Sequence, residues 1–163
     1  MSGRSSALDS PSWTTHAARL RPLVTSGQIQ LGNHTWSHPD LRSLTDAGVR
    51  DQLQRNEDFI QTTFGVSGAP FYRPPFGFLN ARVIASAAAI GYTAPTLWYG
   101  SLADSAVLAS SVIVTNAAQW FAAGRIVIAH ANHPGVIAAM PRLVALLNKR
   151  GLRTVTLKDV FAT

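Results

Sequence analysis

The chain has 163 residues, of which 47% are hydrophobic and 13% charged, and its formal net charge is +6. This composition is typical of a globular chain with a sizeable core and excludes an intrinsically disordered one. No apolar run approaches the ~18 residues of a membrane span, and the absence of cysteine excludes disulfides and cysteine-ligated metal centres.

Hydrophobic periodicity predicts a flexible lead over residues 1–12, followed by alternating helices and strands without an internal domain boundary over residues 13–163. The predicted elements, in chain order, are helix Trp13–Val24, strand Gln28–Leu31, helix Thr45–Phe64, strand Phe71–Arg73, helix Ala81–Ile90, strand Tyr92–Leu97, the ambiguous segment Ser105–Trp120, the apolar strand Ile126–Ala129, helix Val136–Arg150, strand Thr154–Thr156 and helix Leu157–Phe161. Strands that alternate with helices predict an α/β fold with a parallel sheet and outer helices. The apolar strand Ile126–Ala129 is of the kind buried on both faces.

Two histidines, His34 and His38, follow the first predicted strand and lie four residues apart. If this turn is helical, both rings project from the same face. Neutral imidazole is a preferred ligand of zinc and related ions, so the pair can hold two corners of one metal site. The alternative is that the two rings only pack or cap.

Ionisable residues also follow three other predicted strands. Arg73 closes one strand, Asp104 lies beyond the next, and His130 directly follows the apolar strand. Functional groups collect at the carboxyl ends of parallel strands, so their combination indicates a site. Taken alone, each has an ordinary structural explanation, and Asp104 could cap a helix that begins at Ser105.

Four stretches carry a resemblance to NodB-type polysaccharide deacetylases, carbohydrate esterase family four. Ile29–His38 resembles the family's metal-binding segment, whose pattern is His-Ser/Thr-x-x-His after Gly-Asn. Phe71–Gly77 resembles its Arg-x-Pro-aromatic-Gly wall, and Ile128–His130 resembles its Leu-x-His motif. Trp98 and Asp104 are similar to its Trp…Asp-Trp wall, although serine replaces the second tryptophan.

The resemblance runs from about Ala17 to Phe161 and implies a distorted or incomplete (β/α) barrel. The family's opening motif, Thr-Phe-Asp-Asp-Gly-Pro on the first strand, has no counterpart before His34. The first β-α-β elements are therefore expected to be missing, and the only preceding acid, Asp9, has no partner carboxylate. Open sheet edges predict self-association.

The resemblance also implies a role for each matched ionisable residue. His34 and His38 would ligate a divalent metal, with Zn²⁺ the expected ion. His130 would be the general acid that protonates the leaving amine, and Asp104 would orient it. Arg73 would hold the carboxylate of the general base by two parallel, charge-assisted hydrogen bonds from its guanidinium. In the family that base and the third metal ligand are the two missing aspartates.

The residues expected to contact the substrate are Trp36, Pro74, Phe76, Trp98 and Ile128. The backbone N–H of Phe76 would donate to the oxyanion, and Ile128 would line the pocket for the acetyl methyl. Trp36 and Trp98 offer flat faces to sugar rings, or else belong to the core.

Three functions follow as hypotheses. The first is a metal-dependent hydrolase that removes acetyl groups from N-acetylglucosamine-containing polysaccharide, such as peptidoglycan or chitin. The second is a catalytically impaired relative that binds glycans. The third is a basic α/β domain that binds an anionic polymer, but the basic residues are scattered and only Lys149–Arg150 is adjacent, so no nucleic acid partner is expected. The resemblance implies an extracellular or cell-envelope location, while residues 1–6 carry no secretory signal.

Overall fold

The computed structural model describes residues 11–130 and 133–161. The predicted lead therefore lies outside the described residues, except for its last two positions, which already belong to the first helix. Two compact units are formed: residues up to Thr96 together with those from Thr156 onwards, and residues Leu97–Val155. Each unit is described by itself, and the single domain over residues 13–163 stays a prediction.

The helices of the first unit begin and end at residues that the sequence marks clearly. They are α1 (Pro11–Thr25), α2 (Asp46–Phe64), α3 (Ala81–Ala88) and α6 (Leu157–Val160), with 3₁₀ turns at Leu41–Ser43 and Pro75–Gly77. Thr45 caps α2 by accepting from the Gly48 N–H, and Gly65 ends it in the left-handed conformation at φ 74°. The Asn80 side chain likewise accepts from the Val83 N–H at the start of α3. The predicted helices that begin at Thr45 and Ala81 are confirmed to within one residue at their starts.

The first unit contains a short parallel sheet. β1 (Phe71–Tyr72) pairs with β2 (Ala94–Pro95), and Asn33 forms an isolated parallel bridge with Tyr72 on the other side. The predicted strand Gln28–Leu31 is wrong, because the pairing is confined to Asn33. The Asn33 N–H donates to the Phe71 carbonyl at 3.1 Å, and the Arg73 N–H donates to the Asn33 carbonyl at 2.8 Å. The sheet contact therefore lies directly before His34.

Two core clusters of the first unit lie along α2, one nearer its start and one at its end. One cluster joins α2, β1 and α3, and its buried residues are Leu41, Val49, Leu53, Tyr72, Val83, Ala87 and Tyr92. A second cluster joins α1 and α2 through Ala17, Val24 and Phe64. Burying one such large apolar side chain stabilises the fold by about 1.5–3 kcal/mol. The loop between α1 and α2 is thus fixed at both ends.

The second unit holds another parallel strand pair and two helices. β3 (Gly100–Ser101) pairs with β4 (Val127–Ile128), while α4 (Ser110–Trp120) and α5 (Pro134–Lys149) share a buried core. A side chain at Gly100 could not be accommodated, since a Cβ there would lie 2.6 Å from atoms of Trp120. β3 was not predicted from the sequence.

Three sequence predictions in this part of the chain need correction. The ambiguous segment is helical from Ser110 onwards, so its β-branched middle yields to the core contacts of Ile113. The predicted strand Thr154–Thr156 is wrong, because Thr156 and Asp159 instead form a capping box that begins α6. The predicted strand Ile126–Ala129 is shorter and less buried than expected: β4 contains only Val127 and Ile128, of which Ile128 is buried, whereas Ile126 is 36% exposed. None of the described helices is long and apolar enough to cross a bilayer.

Candidate functional site

His34 and His38 lie in the loop that follows the bridge at Asn33, and their rings touch. The ring centroids are 4.8 Å apart in a T-shaped arrangement, and both side chains are half-buried. The expected helical turn is absent, since Thr35 and His38 have φ values of 68° and 58°. Two left-handed residues, rather than one turn of helix, bring the rings together. The two rings therefore meet without the helical turn on which the argument from their spacing was conditional.

One hydrogen bond determines which ring nitrogen of His34 carries the hydrogen. Its Nδ1 lies 2.6 Å from the Arg73 carbonyl oxygen. A carbonyl oxygen only accepts, so Nδ1 carries the hydrogen and Nε2 of the neutral ring keeps its lone pair. A metal-binding histidine is commonly oriented in this way.

The loop between the two histidines is held by its own polar groups. Thr35 is 2% exposed; its N–H donates to Asn33 Oδ1 at 2.9 Å, and its Oγ1 accepts from the His38 N–H at 3.1 Å. At its outer side, the Ser37 N–H donates to Gln52 Oε1 at 2.9 Å. These bonds fix the backbone on which both imidazoles stand.

Arg73 lies at the end of β1 with a half-buried side chain. No acid among the residues that the structure describes forms an ion pair with its guanidinium. Burial lowers the pKa of Arg73, although guanidinium remains charged at any ordinary pH. A partly desolvated cation without a counter-ion is unfavourable, so this position suits an added carboxylate.

The turn after β1 borders the histidine pair. Pro74 and Pro75 are buried, whereas Phe76 is 56% exposed and has a φ of 60°. The Phe76 ring lies 4.8 Å from the His38 ring and 5.7 Å from that of Phe78, measured between centroids. Phe78 was not singled out from the sequence.

Trp36 is half-buried and has a neighbour that the sequence did not indicate. The guanidinium carbon of Arg55 lies 4.8 Å from the centroid of the Trp36 ring. One face of the indole therefore contacts a cation, which is a favourable arrangement.

The second unit contains a histidine–carboxylate pair. Asp104 is fully buried; its Oδ2 accepts from the His130 backbone N–H at 2.6 Å, and its Oδ1 lies 3.0 Å from His130 Nδ1. The alternative that Asp104 caps a helix is wrong, because α4 begins at Ser110 with Ala109 as its N-cap. Ile128 is buried and Trp98 half-buried in the same unit.

No group of three or more His, Asp or Glu side chains suited to a metal ion occurs within residues 11–130 and 133–161. Of the ligands expected from the sequence, these residues contain the two imidazoles, and their role as ligands stays a prediction.

A buried polar network beside the histidine loop was not predicted from the sequence. Asn56 and Glu57 are buried on α2, and Tyr92 is buried ahead of β2. A signal was present: Asn56 and Glu57 occupy the helical positions between Leu53 and Ile60, where the apolar face of α2 should continue.

Comparison with known proteins identifies the family of this chain. The polysaccharide deacetylase family matches residues 7–95, more than half of the chain. An uncharacterized protein of Streptomyces coelicolor is 34% identical over 146 residues, which are 87% of this chain and 55% of that protein. A peptidoglycan-N-acetylglucosamine deacetylase of Bacillus cereus is 25% identical over 148 residues, 88% of this chain and 53% of that one.

Among solved structures, a family 4 carbohydrate esterase from Streptomyces lividans in complex with acetate superimposes with a TM-score of 0.74 at 23% identity. The match covers 88% of this chain and 75% of the esterase chain. It confirms the predicted fold class, an α/β fold of the NodB type that comprises part of the barrel. The chain spans about half the length of the two curated relatives. It belongs to the polysaccharide deacetylase family, carbohydrate esterase family four.

Proposed function

We propose that this chain forms part of a metal-dependent hydrolase that removes acetyl groups from N-acetylglucosamine-containing polysaccharide of the peptidoglycan or chitin type. The observation that carries the proposal is the His34–His38 pair, with the rings in contact and Nδ1 of His34 engaged by the Arg73 carbonyl. The similarity to a peptidoglycan-N-acetylglucosamine deacetylase supports the substrate class.

The donor set suits a divalent ion, with Zn²⁺ as the first choice. Two neutral imidazoles would occupy two positions of a tetrahedral site, and a carboxylate from outside the described residues would complete the protein ligands. When bound, the ion would supply Lewis-acid activation of water and of the acetyl carbonyl.

Arg73 would hold the carboxylate that acts as general base. Its guanidinium is half-buried without a counter-ion in the described part of the chain. A carboxylate held by a guanidinium fork is fixed in orientation, which general-base catalysis requires.

His130 would act as the general acid. The bond between its Nδ1 and Asp104 fixes the ring and leaves Nε2 as the nitrogen that exchanges a proton. That proton would pass to the amine nitrogen as the carbon–nitrogen bond of the acetamide breaks, while the acetyl carbon gains the hydroxyl from water.

The remaining predicted residues would contact the substrate. Phe76, beside His38, would offer its N–H to the oxyanion, and Pro74 would keep that turn rigid. Ile128 would face the acetyl methyl, and Trp36 and Trp98 would contact sugar rings.

A catalytically impaired, glycan-binding relative is the second candidate. The observation in its favour is that no group of three or more His, Asp or Glu side chains suited to a metal ion occurs among the described residues. Binding of a chitin oligomer without release of acetate, at saturating Zn²⁺, would favour this candidate over the hydrolase.

The first test removes the histidines singly. His34→Ala and His38→Ala should each abolish Zn²⁺ binding measured by calorimetry, because one imidazole alone binds the ion weakly. His16→Ala is the matched control, since His16 is an exposed histidine on α1. Unchanged Zn²⁺ affinity in both site variants would refute the metal site, and acetate release would then have to come from another centre.

A further inference from the structure

A buried chain of polar side chains links α2 to the histidine loop. Asn33, Asn56, Glu57 and Tyr92 are 1%, 5%, 6% and 1% exposed, respectively. Buried polar groups are retained where their hydrogen bonds are complete, and such a network then specifies a single local geometry.

The side-chain amide of Asn33 uses all of its hydrogen-bonding positions. Its Nδ2 donates to the Tyr92 hydroxyl and to the Leu53 carbonyl, both at 2.8 Å. Its Oδ1 accepts from Asn56 Nδ2 at 2.8 Å and from the Thr35 N–H at 2.9 Å. Four bonds on one amide leave it a single orientation.

Glu57 completes the chain from the other side. The Tyr92 hydroxyl accepts from Asn33, so its own proton is free to be donated to Glu57 Oε2, with which it forms a short hydrogen bond. The same oxygen accepts from the Gly68 N–H at 3.0 Å, and Oε1 accepts from Gln61 at 2.8 Å. The carboxylate is therefore held by neutral donors, and charge-assisted bonds of this kind are the strong ones.

The network ends on strained backbone. Thr35 is β-branched and has a φ of 68°, a conformation that such residues seldom adopt. Residues of this kind persist where their surroundings over-determine them. Here the Asn33 side chain holds the Thr35 N–H, and Thr35 Oγ1 in turn holds the His38 N–H.

We propose that Glu57 and Tyr92 are positioning residues for the histidine pair: they lock Asn33, Asn33 sets the backbone of Thr35, and Thr35 sets His38. The inference rests on the proposed function, because the pair is taken to bind a metal ion. Tyr92 is joined to Asn33 by a hydrogen bond and Glu57 is joined to Tyr92, so their effect on the pair is carried by Asn33.

The test compares two substitutions of the same kind in one core. Tyr92→Phe removes the hydroxyl that joins Asn33 to Glu57, whereas Tyr72→Phe removes a buried hydroxyl without a hydrogen-bond partner in the described residues. The readouts are Zn²⁺ affinity by calorimetry and hydrogen exchange of the Thr35 and His38 amides in the metal-free chain, referred to amides inside α2.

Tyr92→Phe should weaken Zn²⁺ binding about 10–100-fold, the usual effect of removing a group that orients metal ligands, and should accelerate exchange at Thr35 and His38. Tyr72→Phe should change neither. Glu57→Gln provides a second variant if Tyr92→Phe does not fold, with the same direction of effect. Equal effects of the two tyrosine variants, or wild-type exchange at both amides in Tyr92→Phe, would overturn the inference.

The exchange readout separates this inference from the proposed function. If the wild-type chain does not bind Zn²⁺, the metal site fails. The exchange of the Thr35 and His38 amides still decides whether Glu57 and Tyr92 position the loop.

Discussion

At His34, one backbone carbonyl determines which ring nitrogen carries the hydrogen. Because the Arg73 carbonyl takes the Nδ1 hydrogen, Nε2 is the ring nitrogen that keeps its lone pair. The sequence predicted the histidine pair and Arg73, but not this link between them. This link depends on how Asn33 is aligned with β1, because the two segments exchange backbone hydrogen bonds there. The alignment cannot be predicted from the sequence, because only one residue of the loop pairs with the strand.

The pH dependence of stability should reveal Glu57 among the acids. Burial raises the pKa of Glu57, but hydrogen bonds from Ser67, Tyr92, the Gly68 N–H and Gln61 outweigh it and leave the pKa below its ordinary value. A carboxyl whose folded-state pKa is lowered stabilises the fold fully above its unfolded pKa, about 4.3 for glutamate. That contribution is lost as the pH falls from there through the folded pKa.

Glu57→Gln should therefore lower the free energy of unfolding above about pH 4.3, and the difference from wild type should shrink at lower pH. Urea unfolding at a series of pH values measures this difference in the free energy of unfolding. Asp58→Asn, the neighbouring exposed acid on α2, controls for loss of charge alone. Parallel profiles for the wild type and Glu57→Gln would show that ionisation of Glu57 contributes nothing to folding.

At the scale of elements, helices were predicted well and strands poorly. α2 and α3 combine an apolar face with a cap at the first residue, and these signals are local. The strands are two residues long and are defined by partners far along the chain, such as the pairing of Gly100 with Val127. A run of four apolar residues therefore predicted β4, while the sequence around β3 gave no such signal.

The cap of α2 can be tested with two identical substitutions in one element. Thr45→Ala should lower the free energy of unfolding by about 1 kcal/mol, since it leaves the Gly48 N–H without its acceptor. Thr62→Ala, at an exposed position inside α2, should leave stability unchanged or slightly raise it, because alanine favours helix. Chemical denaturation of both variants checks this, and equal destabilisation would contradict the role of the cap.

At the scale of the whole molecule, the chain spans about half the length of its curated relatives, and it leaves apolar surface exposed. Ile137, Met140 and Val144 are 67%, 47% and 48% exposed and lie three and four residues apart on one face of α5. The described strands form two-stranded sheets. Contiguous apolar surface and open strand edges both favour association.

We therefore expect this chain to self-associate, with a weight-average mass that rises with protein concentration in sedimentation equilibrium. Ile137→Lys combined with Val144→Lys should reduce the association, because two charges on this face would have to be desolvated on contact. Val107→Lys, at a 72% exposed apolar position outside the helices, is the matched control and should have little effect.

Association driven by apolar burial should persist at high salt, since screening weakens only charge interactions. A wild-type chain that stays monomeric at every concentration would contradict the expectation. If the wild type associates and both lysine variants associate to the same extent as it does, the strand edges rather than α5 would be the surface involved.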